Sequence, residues 1–233
     1  MSDRLHIPVV PAERSRPGMS TGRITAAALQ IVDTEGSRAL TMRRLGQALD
    51  RKVMTLYRYV PSKDALLDGV VALVLTDLAI NPAAADWRQE LRDLAASFRD
   101  LALAHPDAVP LLVIRPLASP LGQRPPATVR PLENFLELLI RAGFSPADAL
   151  HAYRLFFGFL HGHILDELQD LIDNPDDLLR LGLHRLPRRE FPRIRAVAPE
   201  LASHDGAAHL QQGVELMITG LQSHFQPAPG LAT

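Results

Sequence analysis

The 233-residue chain predicts an all-α fold, in which a small three-helix head precedes a larger helical body. Apolar residues return at spacings of three and four along most of its length. No segment alternates β-branched with polar residues, and no Asn-Gly pair offers a hairpin turn. Capping Ser and Thr residues open several of the periodic runs, and Pro or Gly closes them. Hydrophobic residues make up 47% of the chain and charged residues 22%, enough apolar surface to bury a core unaided. There is no cysteine, which excludes disulfide scaffolds, Cys-liganded zinc, iron–sulfur clusters and thiol catalysis. No apolar run approaches the ~18 residues of a membrane span. The start, MSDRLHIPVVPAERSRPG, lacks the apolar core of a signal peptide, so a soluble cytoplasmic protein with no membrane partner is expected.

Residues 1–19 are polar, proline-bearing and without period, and are expected to form a disordered arm. Ser20 or Thr21 caps a first helix whose apolar positions are Ile24, Ala28, Ile31 and Val32, and Gly36 ends it. Thr41 caps a short second helix with Leu45, Ala48 and Leu49 facing inward. The tight link Asp50-Arg51-Lys52 leads to a short third helix, Val53 to Tyr59, which Pro61 breaks. Ser62 caps a fourth helix that runs through Leu66, Val70, Leu73 and Val74 to a stop at Asn81-Pro82. Trp87 to Ala104 follows with Leu91, Leu94, Phe98 and Leu101 on one face, then a short apolar piece from Val109 to Ile114. Pro126 to Ala142 is amphipathic. Ser145-Pro146-Ala147-Asp148 is a capping box with Pro at the first helical position, opening a helix that extends to about Asp173. Residues 174–205 read as a loop with one short helix, and Gly206 to Phe225 as the last helix. The divisions expected are an arm at 1–19, a small three-helix head at 20–66 and a larger helical body at 67–233.

The net charge of −1 divides unevenly. Residues 1–64 carry eleven Lys or Arg against six Asp or Glu, whereas residues 65–233 carry fourteen against twenty. A basic head on an acidic body points to a polyanionic partner for the head. Between Arg38 and Lys63 seven cations face one anion, Asp50. Two short helices joined by a tight turn, the second entering a major groove, make a helix-turn-helix, so double-stranded DNA is the expected partner. Thr41 can donate its hydroxyl to a phosphate. Arg43 has the fork geometry for a guanine edge. Lys52, Val53, Met54 and Thr55 begin the third helix, where base readers sit, and Val53 and Met54 can pack on thymine methyls. Tyr57, Arg58, Tyr59 and Lys63 can reach phosphates.

The run TGRITAAALQIVDTEGSRALTMRRLGQALDRKVMTLYRYVPSKDALLDGVV resembles the DNA-binding domain of the TetR family of bacterial transcriptional repressors. The match rests on the Ala-rich first helix ending in Glu-Gly, on Leu-Thr-Met-Arg-Arg-Leu, on Thr-Leu-Tyr-x-Tyr-Val and on Ser-Lys-Asp-Ala-Leu-Leu. The resemblance implies a homodimer that reads a palindromic operator and is released by a small-molecule inducer bound in the body. More loosely, the body resembles the tetracycline-repressor branch, through Trp-Arg-Gln-Glu-Leu-Arg, Ser97-Phe98-Arg99, Arg115-Pro116, Leu132-Glu133-Asn134, Ala142-Gly143-Phe144-Ser145 and Gly213-Val214-Glu215-Leu216. It implies that the helices near 146–173 and 206–225 pair with their twins across a dimer interface. Both carry apolar residues on too much of their circumference for a monomer surface.

By the same resemblance Phe98 and Arg115 match pocket residues. The positions of the polar drug contacts and the magnesium-binding histidine are Ala79, Leu94, Leu111 and Phe135, all apolar. Tetracycline with its magnesium is therefore not the expected inducer. A largely apolar cavity lined by Leu94, Phe98, Leu111 and Phe135, with Arg115, His151 and His161 as polar points, suits a more lipophilic molecule. His163 and Glu167, at i and i+4, supply two metal ligands and no third, so no metal or other cofactor is expected. No phosphate loop, nucleophile elbow or His-Glu-x-x-His appears, so no catalytic residue is assigned and an enzyme is not expected. The rival readings are a constitutive dimeric DNA-binding protein without a natural ligand, and a helical small-molecule-binding protein with an incidental basic face.

Overall fold

The computed structural model describes residues 19–118, 120–172, 182, 186, 187, 189–202 and 205–224. Among them no strand occurs. The helices are α1 (Thr21–Glu35), α2 (Met42–Ala48), α3 (Val53–Tyr57), α4 (Lys63–Leu75), α5 (Trp87–Ala104), α6 (Val109–Ala118), α7 (Pro126–Arg141), α8 (Pro146–Ile172), α9 (Pro192–Ala196), α10 (Ala198–Ala202) and α11 (Gly206–His224). Of the expected arm, all but Met19 lies outside the described residues, as do Phe225 and parts of the 174–205 loop.

Local chemistry sets the helix starts. Ser20 Oγ accepts from the Arg23 amide at 3.3 Å, Thr41 Oγ1 from Arg44 at 3.0 Å and Ser62 Oγ from Ala65 at 3.0 Å. Ser145 closes its capping box in both directions, accepting from the Asp148 amide at 3.1 Å and donating to its carboxylate at 2.6 Å. Pro126 stands at the first position of α7, where a missing N–H costs nothing.

Three details differ from the sequence-based expectation. The fourth helix stops at Leu75, with Thr76–Ile80 continuing as turn and extended chain, and Leu73 stays 37% exposed. On α2 the inward positions are Met42, Leu45 and Gly46, whereas Ala48 is exposed. Near the end of the 174–205 loop there are two short helices, α9 and α10, rather than one.

One continuous cluster of buried side chains runs from Ile24 through Leu56, Val70, Leu94, Phe135 and Phe156 to Leu221. Helix α4 joins its two halves: it packs on α1 with one part of its surface and on α6 and α7 with another. The expected boundary between residues 66 and 67 falls inside this helix. In the body α7 and α5 pack on α8, and α11 packs on both α5 and α8.

Candidate DNA interface and ligand chamber

Helices α2 and α3 are welded by Leu45 and Leu56, both fully buried. The turn between them is tight enough to need two backbone exceptions. Asp50 sits at φ +51°, a left-handed conformation that a short polar side chain tolerates better than a branched one. Gly46 faces the turn directly: the Arg51 amide donates to its carbonyl at 2.9 Å, and a Cβ there would meet the Arg51 carbonyl at 2.8 Å.

Outward from this unit stand Thr41, Arg43, Lys52, Met54, Tyr57, Arg58, Tyr59 and Lys63, all exposed, with Met54 at 76%. Val53 and Thr55 are half-buried and still border the surface. Arg43, Lys52, Arg58 and Lys63 have no side-chain partner among the described residues, so these cations stand ready for an external anion. Arg44 differs. Its Nε donates to Glu35 Oε2 at 2.9 Å and its Nη2 donates to Oε1, a bidentate pair that holds the Glu35 carboxyl below its ordinary range. One of the seven cations counted in the sequence thus fastens α2 to α1. The reading of the segment by charge missed this because the partner sits on another helix.

Polar links tie the head to the body. His105, at the end of α5, points Nδ1 at both oxygens of Asp33 on α1, each at 3.0 Å. Arg115 on α6 grips α4: Nη1 donates to Asp64 at 2.8 Å, while Nε and Nη2 donate to Asp68 at 3.0 and 2.7 Å. The guanidinium named in the sequence as a polar point of the cavity is therefore engaged by the helix that leads to the DNA-facing unit.

The structure brings Leu94, Phe98, Phe135 and His161 into one aromatic core. Phe135 touches Tyr153, Phe156 and Phe157 at ring-centroid distances of 5.5, 5.6 and 5.9 Å. His161 lies over Phe98 and Phe157 at 5.6 and 6.0 Å, and this burial pushes its imidazole below the ordinary 6.5. Leu111 is half-buried at the edge of the core. His151 is set apart on the exposed side of α8. There it lines an outer groove of about 310 Å³ with Leu155, Met217 and Leu221, between α8 and α11. Leu155, Leu165 and Leu216 on these two helices are 50, 40 and 69% exposed. A different cleft, of about 430 Å³, opens between the end of α4 and α7 and includes Ala79, one of the positions at which the sequence departs from the tetracycline-repressor pattern.

His163 and Glu167 are turned to structural use. The His163 Nε2 donates to the Gly206 carbonyl at 2.9 Å, and the buried Glu167 carboxylate accepts from Arg99 at 2.5 to 3.0 Å. Among the described residues no group of three His, Asp or Glu could hold a metal ion, and no helix is long and apolar enough to cross a membrane.

Residues 81–225 match the family described as tetracycline repressor-like, C-terminal domain. The chain is 30% identical over 206 residues to the class D tetracycline repressor protein of Escherichia coli, covering 84% of this chain and 86% of that protein. It is 28% identical over 211 residues to an HTH-type transcriptional regulator of Saccharopolyspora erythraea, covering 89 and 86%. The crystal structure of the Streptomyces coelicolor TetR family protein ActR in complex with actinorhodin superimposes with a TM-score of 0.78 at 29% identity, over 91% of this chain and all of that one.

Proposed function

The chain belongs to the TetR family of transcriptional regulators, and from that membership we propose that it is a cytoplasmic homodimer that holds a palindromic operator until a small, largely apolar ligand releases it. It is a regulator and not an enzyme, as its relatives are. The observation that carries the reading is the basic unit itself: Arg43, Lys52, Arg58 and Lys63, without side-chain partners among the described residues, and the exposed Met54, on the α2–α3 corner and the start of α4. We assign residues 20–66 to DNA reading and 67–233 to ligand binding and dimerisation.

The geometry supports the following roles. Thr41 accepts the Arg44 amide through its oxygen, which leaves its hydroxyl proton for a phosphate. Arg43 presents a guanidinium fork to a guanine edge. Met54 and the rim of Val53 offer apolar contact to thymine methyls. Lys52, Arg58, Lys63 and the tyrosine hydroxyls of Tyr57 and Tyr59 face phosphates. The exposed leucines of α8 and α11 are the surface that a second copy covers, in keeping with the dimeric habit of the family. In the body, a ligand acts only if it binds the released arrangement more tightly than the operator-bound one. The Arg115 grip on Asp64 and Asp68 is the route by which a shift of α6 reaches the head. ActR was crystallised in complex with actinorhodin, and this neighbour supports a small-molecule inducer.

A titration of the full chain against the intergenic DNA beside its own gene, at two salt concentrations with a scrambled duplex as control, tests the reading. Tight sequence-dependent binding with a steep salt slope is expected. Arg43→Ala should weaken operator binding by about 1–3 kcal/mol and relax sequence preference. Equal weak binding to both duplexes, persisting across a randomised pool, would refute the operator assignment.

A further inference from the structure

We propose that the cleft between the C-terminal end of α4 and the first turns of α7 binds an amphiphilic organic acid, with its apolar body on Leu75, Leu78 and Pro131 and its carboxylate on Arg130. The proposal names a ligand class for the regulator described above and rests on that reading for its consequence. The cleft, about 430 Å³, is of the size that holds a small organic molecule. Leu78, Ile80 and Pro131 are buried and form an apolar floor. Ala79 and Ala127 are small, and keep the walls apart.

The polar groups of the lining are few and mostly satisfied. The Thr76 hydroxyl donates to the Ala72 carbonyl at 2.9 Å, and Asn134 Nδ2 donates to the Ile80 carbonyl at 3.2 Å. Arg130 is exposed at the rim and has no side-chain partner among the described residues, and no carboxylate lines the cleft beside it. A cation without a side-chain partner among the described residues, set over an apolar floor, selects an apolar body with a single anionic group. A guanidinium fork matches a carboxylate in two parallel hydrogen bonds, which a neutral ligand cannot offer. The place suits a switch. A molecule wedged here separates α4 from α7, and the opposite end of α4 begins one residue after Ser62, beside the DNA-facing unit.

The test uses the full dimeric protein without DNA and two fluorescent probes of similar ring system. Anilinonaphthalene sulfonate carries an anionic group in place of the carboxylate, and phenylnaphthylamine carries none. Arg130→Ala should weaken the sulfonate probe about tenfold and leave the neutral probe within twofold, while Arg130→Lys retains most of the sulfonate affinity. Ala79→Trp, which fills the cleft, should weaken both probes, with circular dichroism confirming an intact helical fold. Sulfonate binding unchanged in Arg130→Ala, or both probes unaffected by Ala79→Trp, overturns the site. Because binding is read without DNA, these results are separate from the operator titration. A chain that never binds DNA selectively refutes the regulator reading, and the probe affinities still decide the site.

Discussion

A missing Cβ at Gly46 and a left-handed φ at Asp50 shape the turn between α2 and α3. At Gly46 an added methyl would press on the Arg51 carbonyl, a backbone atom that cannot turn aside. Gly46→Ala should therefore cost about 1–3 kcal/mol and move α3 relative to α2, lowering the melting temperature and operator affinity together. His161 shows a different single-residue effect. Packed over Phe98 and Phe157, its imidazole has a lowered pKa in the fold, so the unfolded chain binds its proton more readily. Its contribution to stability is whole above pH 6.5 and is lost as pH falls from there through the folded pKa. The urea midpoint should drop between pH 7.5 and pH 5.5, and His161→Phe should shrink that drop; an identical drop in the variant would show that the pH dependence lies elsewhere.

At the scale of an element, α4 is the helix to watch. Arg115 joins it to α6 through two carboxylates, and the Arg115 side chain is mostly buried. Arg115→Ala strands the half-buried Asp68 without its donor and should cost about 1–2 kcal/mol in a denaturant titration. Asp68→Asn, which keeps an acceptor oxygen, should cost less. Most helices were legible in the sequence because their ends are chemically marked: Thr41, Ser62, Pro126 and the Ser145–Asp148 box all open helices where they were expected. The end of α4 was not legible. Its apolar run continues through Leu78 and Ile80, and both are buried after the helix has stopped, so hydrophobic periodicity outlasts the hydrogen-bond ladder there. Ala48 misled for a related reason, since a small apolar side chain is at ease on either face of a short helix. Side-chain pairing across helices was hidden altogether. Neither the Arg44–Glu35 bridge nor the turning of Arg115 toward α4 has a signature in spacing, because each partner is brought in by tertiary packing.

Across the whole molecule, the apolar faces of α8 and α11 are the surface proposed for a second copy. Leu155 and Leu216 are exposed in the single chain, and a four-helix seam with a second copy would cover both. The double variant Leu155→Glu, Leu216→Glu places carboxylates in that seam and should sediment as a folded monomer whose operator affinity falls steeply, since each half-site must then be held alone. A variant that stayed dimeric would move the interface to another face.

The sharing of α4 between head and body has a thermodynamic consequence. A chain cut after residue 66 would keep only the first turn of that helix and strip α1 of the packing that the rest of α4 gives it, including the close approach of Gly69 to Thr25. The DNA-reading unit is thus no detachable module. Its folding borrows side chains from the body, and the two halves should gain or lose their order in one cooperative transition.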